Sequence, residues 1–260
     1  MSIPDSATAR GLVTRSAAAP GVRRAAVVTG GSRGLGAVVA GLLAGEGFDL
    51  VITARETGPL AETVKRLRSF GGRIVELAGD VSEPEVRNRV RAAVDRFGGL
   101  DLLVNNASEL GASPLPPLAQ YPLDQLERVY RVNVVAAVGL VQSLLPALTL
   151  RHGLVVNISS DAAIGGYPGW GSYGASKAAL DLVSLTLAHE LEGVGVSVVA
   201  VDPGDMRTRM HQAAFVGQDI SDRPLPDVTL PFWAWLFGQP ASDVNGRRFR
   251  AQADHWGATA

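Results

Sequence analysis

Tyr173 and Lys177 lie four residues apart in the stretch Trp170-Gly171-Ser172-Tyr173-Gly174-Ala175-Ser176-Lys177, among small neighbours. Positions i and i+4 share one helix face, so a phenol and an ammonium can present their polar ends to one pocket. That arrangement suits proton transfer. A tyrosine in water titrates near ~10 and is a poor acid or base at neutral pH, whereas a close cation favours the phenolate. The same spacing arises by chance on many helices, so the rest of the chain must show what the pair would act with.

A second constellation is Thr29-Gly30-Gly31-Ser32-Arg33-Gly34-Leu35-Gly36. Glycines at these positions let backbone amides, including those of Gly30, Ser32, Gly34, Leu35 and Gly36, approach a pyrophosphate at a helix N-terminus. The spacing is Gly-x-x-x-Gly-x-Gly and departs from the general Gly-x-Gly-x-x-Gly dinucleotide fingerprint. A glycine-rich turn with no ligand is the alternative at this point.

The elements that must position these residues alternate. Strands are expected at Ala25 to Thr29, Asp49 to Thr53, Arg73 to Ala78, Leu100 to Val104, Leu154 to Ile158 and Val196 to Val201. Helices are expected at Gly34 to Ala44, Leu60 to Phe70, Glu83 to Phe97, Leu123 to Leu150 (ended or kinked at Pro146) and Ser172 to Leu191. Repeated βα units with apolar strands imply a parallel sheet covered on both faces. The expected fold is α/β, a Rossmann-like doubly wound parallel sheet of about seven strands in a single domain. In such sheets ligands bind at the carboxyl ends of the strands, where the candidate residues fall.

Composition narrows the class. A net charge of −1 gives no electrostatic case for nucleic acid, and 47% hydrophobic against 19% charged residues fits a well-buried globular enzyme. No apolar run reaches the roughly 18 residues expected of a membrane span. Cysteine is absent, which excludes disulfides, thiolate catalysis and cysteine-bound zinc. His152, His189, His211 and His255 lack a short ligand spacing, and no metal is expected. Residues 1–22, rich in Ala, Ser, Thr and Pro, read as a flexible tail without the apolar core of a secretory signal, and residues 23–260 as the nucleotide-binding catalytic domain. A cytoplasmic protein is the expectation.

The residue after the second strand selects the ribose, because an acid there bonds a free 2′-hydroxyl and repels a 2′-phosphate. Strand two ends Thr53-Ala54-Arg55, and Arg33 projects from the glycine loop, so two guanidinium groups stand ready for a phosphate. NADP(H) is therefore expected over NAD(H). The alternative is a pair of solvated arginines, with Glu56 neutralising Arg55. Asp80 and Val81 would lie under the adenine. Asn105-Asn106-Ala107-Ser108 would support the glycine turn and line the nicotinamide side.

Taken in order, Thr29-Gly30-x-x-x-Gly34-x-Gly36, Asn105-Asn106-Ala107, Asn133, Ser160, Tyr173-x-x-x-Lys177 and Pro203-Gly204 resemble the compact, single-domain branch of the short-chain dehydrogenase/reductase family. Ser108 stands where that family often has glycine, a tolerated change. The resemblance implies a catalytic set of Asn133, Ser160, Tyr173 and Lys177. Tyr173 would exchange a proton with the substrate oxygen, and Lys177 would lower its pKa and bind the nicotinamide ribose. Ser160 would bond the oxygen as charge develops, and Asn133 would hold a proton-relay water. Ser159 is the neighbouring alternative to Ser160, and Ser176 reads as a packing residue on another side of the helix. Pro203 and Gly204 resemble the turn that closes over the nicotinamide, with Thr208 reaching its carboxamide. A homodimer or homotetramer is implied, and the apolar residues on several faces of Leu126 to Leu145 and Ala178 to Leu191 suit partner helices.

A substrate lid is expected within about 205–237, with Met206 and Met210 on a short helix and a proline-rich loop after it. Tyr167 and Trp170 are candidate substrate contacts. Phe232, Trp233 and Trp235 either join them in an apolar wall or pack in the core or a subunit contact. Asp161 either selects a cationic or hydroxylated substrate or is a strand-end cap or exposed carboxylate, and His211 is expected to be exposed, with substrate contact near the lid as the alternative. The resulting reading is a hydride-transferring oxidoreductase acting on a small carbonyl or alcohol. A silent nucleotide-binding sensor, or a lyase or epimerase using the same tyrosine, are the alternatives.

Overall fold

The computed structural model describes residues 23–257, so the expected tail at 1–22 lies outside the described residues. The chain runs β1 Ala25–Thr29, α1 Gly34–Gly45, β2 Asp49–Ala54, α2 Thr57–Leu67, β3 Ile74–Ala78, α3 Pro84–Asp95 and β4 Leu102–Asn105. It continues through α4 Leu123–Tyr130, a π-helical turn Arg131–Val135, α5 Ala136–Arg151, β5 Leu154–Ile158, α6 Ala162–Gly165, α7 Gly171–Glu190 and β6 Ser197–Asp202. The last elements are α8 Arg209–Ala214, α9 Leu230–Gly238, α10 Ala241–Val244 and β7 Arg248–Arg250.

All strands are parallel, in the order β3-β2-β1-β4-β5-β6-β7. Because successive strand residues face opposite sides, each apolar run feeds two cores at once. Ala26, Val28, Leu50, Ile52, Leu102 and Val104 face one core with Leu43 of α1 and Leu60 of α2. Ala25, Val27, Val51, Leu103 and Val155 face the other with Val90 of α3 and Leu140, Leu144 and Leu148 of α5. This is the doubly wound sheet, and it places the crevice at the β1/β4 switch point, where the strand order reverses.

The sheet edge carries one strand without a sequence signal. β7 is three residues long, flanked by arginines, and holds its place through Phe249, which is buried opposite Val201. Pro146 does not end its helix, which continues to Arg151; the irregularity falls at the π-turn. By length and composition Leu123–Arg151 would suffice to cross a membrane, contrary to the expectation from apolar run length. In this fold its Leu140, Leu144 and Leu148 are committed to the core. Phe232 and Trp233 of α9 are fully buried with Phe237 and Phe249, so the α9 part of the segment expected as a lid at 205–237 packs its aromatics between helix and sheet.

Candidate active site

The glycine turn is built by its neighbours. Thr29 Oγ1 accepts the amides of Asn106 and Ala107, both at 2.9 Å, while Asn106 Nδ2 donates to the carbonyls of Thr29 at 2.7 Å and Gly30 at 3.2 Å. Asn106 thus ties β4 to the turn after β1. Gly30 has φ +66°, and a Cβ on Gly36 would collide with the Gly30 carbonyl, so both positions need glycine. Gly34 lies under Thr208, whose Oγ1 caps α8 by accepting the His211 amide at 3.1 Å. The backbone here leaves a cradle at the N-terminus of α1, which fits a pyrophosphate.

The arginines beside the cradle are paired differently from expectation. Glu56 takes Arg33 at 2.7 Å and Arg209 of α8 at 3.1 Å, and Arg55 reaches Glu109 at 2.7 Å. Glu56 therefore does not neutralise Arg55, because Arg55 extends across the switch point toward the residue after Ser108. Arg33 holds Glu56 below the usual carboxylate range. Asp80 accepts the Ser82 amide at 2.9 Å and Arg128 at 2.8 Å; burial pushes its carboxyl up, and these bonds together hold it below its ordinary value. Arg33 and Glu56 are both partly exposed and Arg55 is exposed, so the Arg33–Glu56 and Arg55–Glu109 pairs are each weak.

Tyr173 and Lys177 share one face of α7, and both are buried. Lys177, 1% exposed, donates from Nζ to the Ile158 carbonyl at the end of β5 at 2.7 Å, and burial lowers its pKa to about 8. Its Nζ lies 5.4 Å from the Tyr173 ring centroid. Burial drives the phenol above its ordinary range, opposed by hydrogen bonding from the Ser108 and Ser160 hydroxyls and reinforced by the Asp202 and Asp161 carboxylates. The expected lowering of the phenol pKa by Lys177 is thus not met. Desolvation is the largest cause of the rise, and the Lys177 ammonium is bound to a carbonyl and itself made more acidic by burial.

Ser160 and not Ser159 faces the phenol: Ser159 is buried in the sheet, its amide donating to Val201 at 2.7 Å. Ser160 Oγ donates to Asp161 Oδ1 at 3.0 Å and accepts the Ala162 amide at 3.1 Å. Asp161 Oδ2 also accepts from Tyr167 at 3.1 Å, so this carboxylate organises the serine and the wall beside it.

Asn133 sits in the π-turn, and its side chain is saturated. Oδ1 accepts from Ser108 Oγ at 3.1 Å and the Glu109 amide at 2.7 Å; Nδ2 donates to the Glu109 carbonyl and to Ser176 Oγ, both at 2.9 Å. A carboxamide has two donors and two acceptor lone pairs, and all are spent. Its side chain therefore braces the Ser108-Glu109 turn against α7 and has no bond left for the expected water. Ser176 is part of this brace and not only packing, since its Oγ also donates to the Tyr173 carbonyl at 2.6 Å. Ser108, Glu109 and Ser176 are the residues that sequence reasoning undervalued; the serine in the usual glycine position was the available signal.

Tyr173, Lys177, Ser160 and Ser108 open on a cavity of about 2130 Å³ that runs from the glycine turn to α8, whereas Asn133 and Ser176 do not line it. Asp80, Val81, Ala107, Pro203 and Gly204 also line it. Asp202 Oδ1 accepts the Gly204 amide at 2.9 Å and fixes the Pro203-Gly204 turn. At the far end Trp170 meets Tyr173 edge-on at 5.8 Å and Phe215 at 6.2 Å, and Met210 packs in the same cluster. Met206 borders the cavity while joining the main core. His211 is not exposed as expected. Its side chain is 11% accessible, its ring lies 4.9 Å from that of Phe215, and its Nε2 is buried without a partner among the described residues.

A nucleotide cradle at the switch point, with a phenol, a hydroxyl and an ammonium gathered at the adjacent strand ends, defines a dinucleotide-dependent site on a doubly wound sheet. The family model described as short chain dehydrogenase matches residues 24–219. The chain is 34% identical over 224 residues to the rhamnolipids biosynthesis 3-oxoacyl-[acyl-carrier-protein] reductase of Pseudomonas aeruginosa, covering 84% of each. It is 35% identical over 191 residues to a short chain dehydrogenase of Pseudocercospora fijiensis, covering 72% of this chain and spanning 61% of that relative's length. A short chain dehydrogenase structure from Escherichia coli, complexed with NADPH, superposes with a TM-score of 0.81 at 28% identity, covering 89% of this chain and 98% of that one. The chain belongs to the short-chain dehydrogenase family, a family of oxidoreductases on a nicotinamide-binding fold.

Proposed function

We propose that the protein interconverts a ketone or aldehyde with an alcohol, using NADP(H). The observation that carries this reading is the meeting of Tyr173, Ser160 and Lys177 in one cavity with the glycine cradle. The cradle fits the dinucleotide because glycine is required where its backbone closes on itself at Gly30 and Gly36. When bound, the cofactor supplies or accepts the hydride. Tyr173 donates its proton to the substrate oxygen in reduction and recovers it in oxidation. Burial keeps that proton on the phenol at neutral pH, which suits the donor role. Ser160 turns its hydroxyl from Asp161 to the substrate oxygen as negative charge gathers there. Lys177, oriented by the Ile158 carbonyl, would hold the nicotinamide ribose.

Arg33 and Arg55 support the phosphate-bearing cofactor, with no acid directly after Thr53-Ala54 to exclude it. Solved relatives of this fold hold NADPH or NAD+, so the reading rests on these two side chains. Trp170, Phe215 and Met210 favour a substrate with an apolar or aromatic group beside its carbonyl. Val135, Leu150, Leu182 and Leu185, exposed on the long helices, support a dimer or tetramer. The test is the wild-type affinity for NADPH and NADH by fluorescence titration, with turnover of an aromatic ketone; equal affinities would refute the phosphate reading.

A further inference from the structure

The end of β5 is held by two cations. Lys177 takes the Ile158 carbonyl, and two residues further on the Ser160 carbonyl accepts from Nη2 of Arg248 at 2.8 Å. Arg248 belongs to β7, where side chains alternate in direction, so Phe249 enters the core and Arg248 turns to the opposite face, toward α7. There its Nε donates to Asp181 Oδ2 at 2.8 Å. Asp181 lies one turn beyond Lys177 and two beyond Tyr173, so phenol, ammonium and carboxylate follow one another along one side of α7. The Arg248–Asp181 pair is 27% and 18% exposed, better shielded from solvent than the arginine pairs at the cradle. The guanidinium therefore joins the turn that bears Ser160 to the helix that bears Tyr173.

Resting on the proposed carbonyl chemistry, we infer that Arg248 is a positioning residue: by bridging the Ser160 carbonyl to Asp181 it fixes the serine against α7, so that Ser160 and Tyr173 reach one substrate oxygen. A guanidinium is planar and presents its donors at fixed spacing, so it sets the separation of the two groups it joins. The other bonds of this turn move with it: the Ala163 amide donates to the Ser160 carbonyl and the Ala162 amide to Ser160 Oγ, both at 3.1 Å. Arg248 refers the Ser160 backbone to another element. It holds the carbonyl and leaves the hydroxyl free to rotate, which the reaction requires, because Ser160 Oγ donates to Asp161 at 3.0 Å and must turn to the substrate. The same guanidinium stands 3.8 Å from Asp202 Oδ2, but the Gly204 amide is bound through Oδ1, so the Pro203-Gly204 turn does not hang on Arg248.

The test is a double-mutant cycle of Arg248→Met and Ser160→Ala, read in kcat for NADPH-dependent carbonyl reduction, in NADPH affinity, and in hydrogen exchange of the cofactor-free protein. Methionine keeps much of the length and drops the donors. Arg248→Met should lower kcat about 10- to 100-fold, the cost of a misplaced group, and leave NADPH affinity unchanged. It should also speed exchange at the Ala162 and Ala163 amides, which bond Ser160. In the Ser160→Ala background the same change should lower kcat by no more than about twofold, because the group it positions is gone. An equal loss in both backgrounds would mean that the arginine acts through general stability or through the charge of Asp202 on Tyr173, and it overturns the inference. So does unchanged exchange at the two amides. If Arg248→Met does not fold, Arg248→Met with Asp181→Leu removes guanidinium and carboxylate together, strands no charge at 181, and gives the same comparison. Absence of turnover in wild type would sink the carbonyl reading, while the exchange comparison still decides whether Arg248 holds the serine turn.

Discussion

Lys177 makes a cost visible in the pH dependence of stability. Its ammonium is 1% exposed, and burial lowers its pKa from 10.5 to about 8. The unfolded chain holds the proton up to the ordinary value, whereas the folded chain releases it near 8, so the unfolded state binds more protons between the two. Stability must therefore rise as pH climbs through that window, and the full cost of the buried charge is present below it. At about 1.4 kcal/mol per pH unit the difference comes to about 3 kcal/mol. Lys177→Met keeps the length of the side chain and removes the charge. It also leaves the Ile158 carbonyl unpaired, which costs about 1–3 kcal/mol but independently of pH. Urea unfolding of both proteins from pH 7 to pH 11 separates the two effects. The wild type should gain about 3 kcal/mol on the variant across the range, and parallel stability curves would refute the account of Lys177.

Three other changes have defined outcomes. Trp233→Ala empties a fully buried site and frees Thr229 Oγ1 from its 2.9 Å bond to the indole, so unfolding free energy should fall by about 3–5 kcal/mol in chemical denaturation. Arg33→Ala and Arg55→Ala should each weaken NADPH about tenfold in fluorescence titration and leave NADH nearly unchanged, since exposed charge pairs to a phosphate are partly screened. Asn133→Ala removes four hydrogen bonds of the brace between the Ser108-Glu109 turn and α7; hydrogen exchange at the Glu109 amide should accelerate while the β4 amides stay protected.

Where residues act through their own backbone or a repeating face, the sequence was readable. The runs of β1, β2, β4 and β5 are buried at every position and mostly apolar because both faces are covered, and that pattern announces a parallel sheet. Tyr173 and Lys177 are joined by helix geometry, and the glycine turn by its φ requirements. What escaped depends on where long side chains go. Arg33, Arg55 and Arg209 could pair with any nearby acid, and spacing does not reveal that Glu56 joins two of them while Glu109 takes the third. The rise of the phenol and the fall of the ammonium both follow from burial, which no local pattern contains. β7 is too short and too charged to be periodic, and the aromatics of α9 read equally as wall or core until Phe249 closes on them.

The central claim is that Tyr173 is the proton donor of a cofactor-dependent carbonyl reduction. The direct measurement is NADPH oxidation over a panel of aliphatic and aromatic carbonyl compounds, in wild type and Tyr173→Phe, with NADPH affinity measured for both. The account predicts turnover by wild type, a loss of about 100- to 10,000-fold in the variant, and equal binding of NADPH. Full activity in Tyr173→Phe would contradict it.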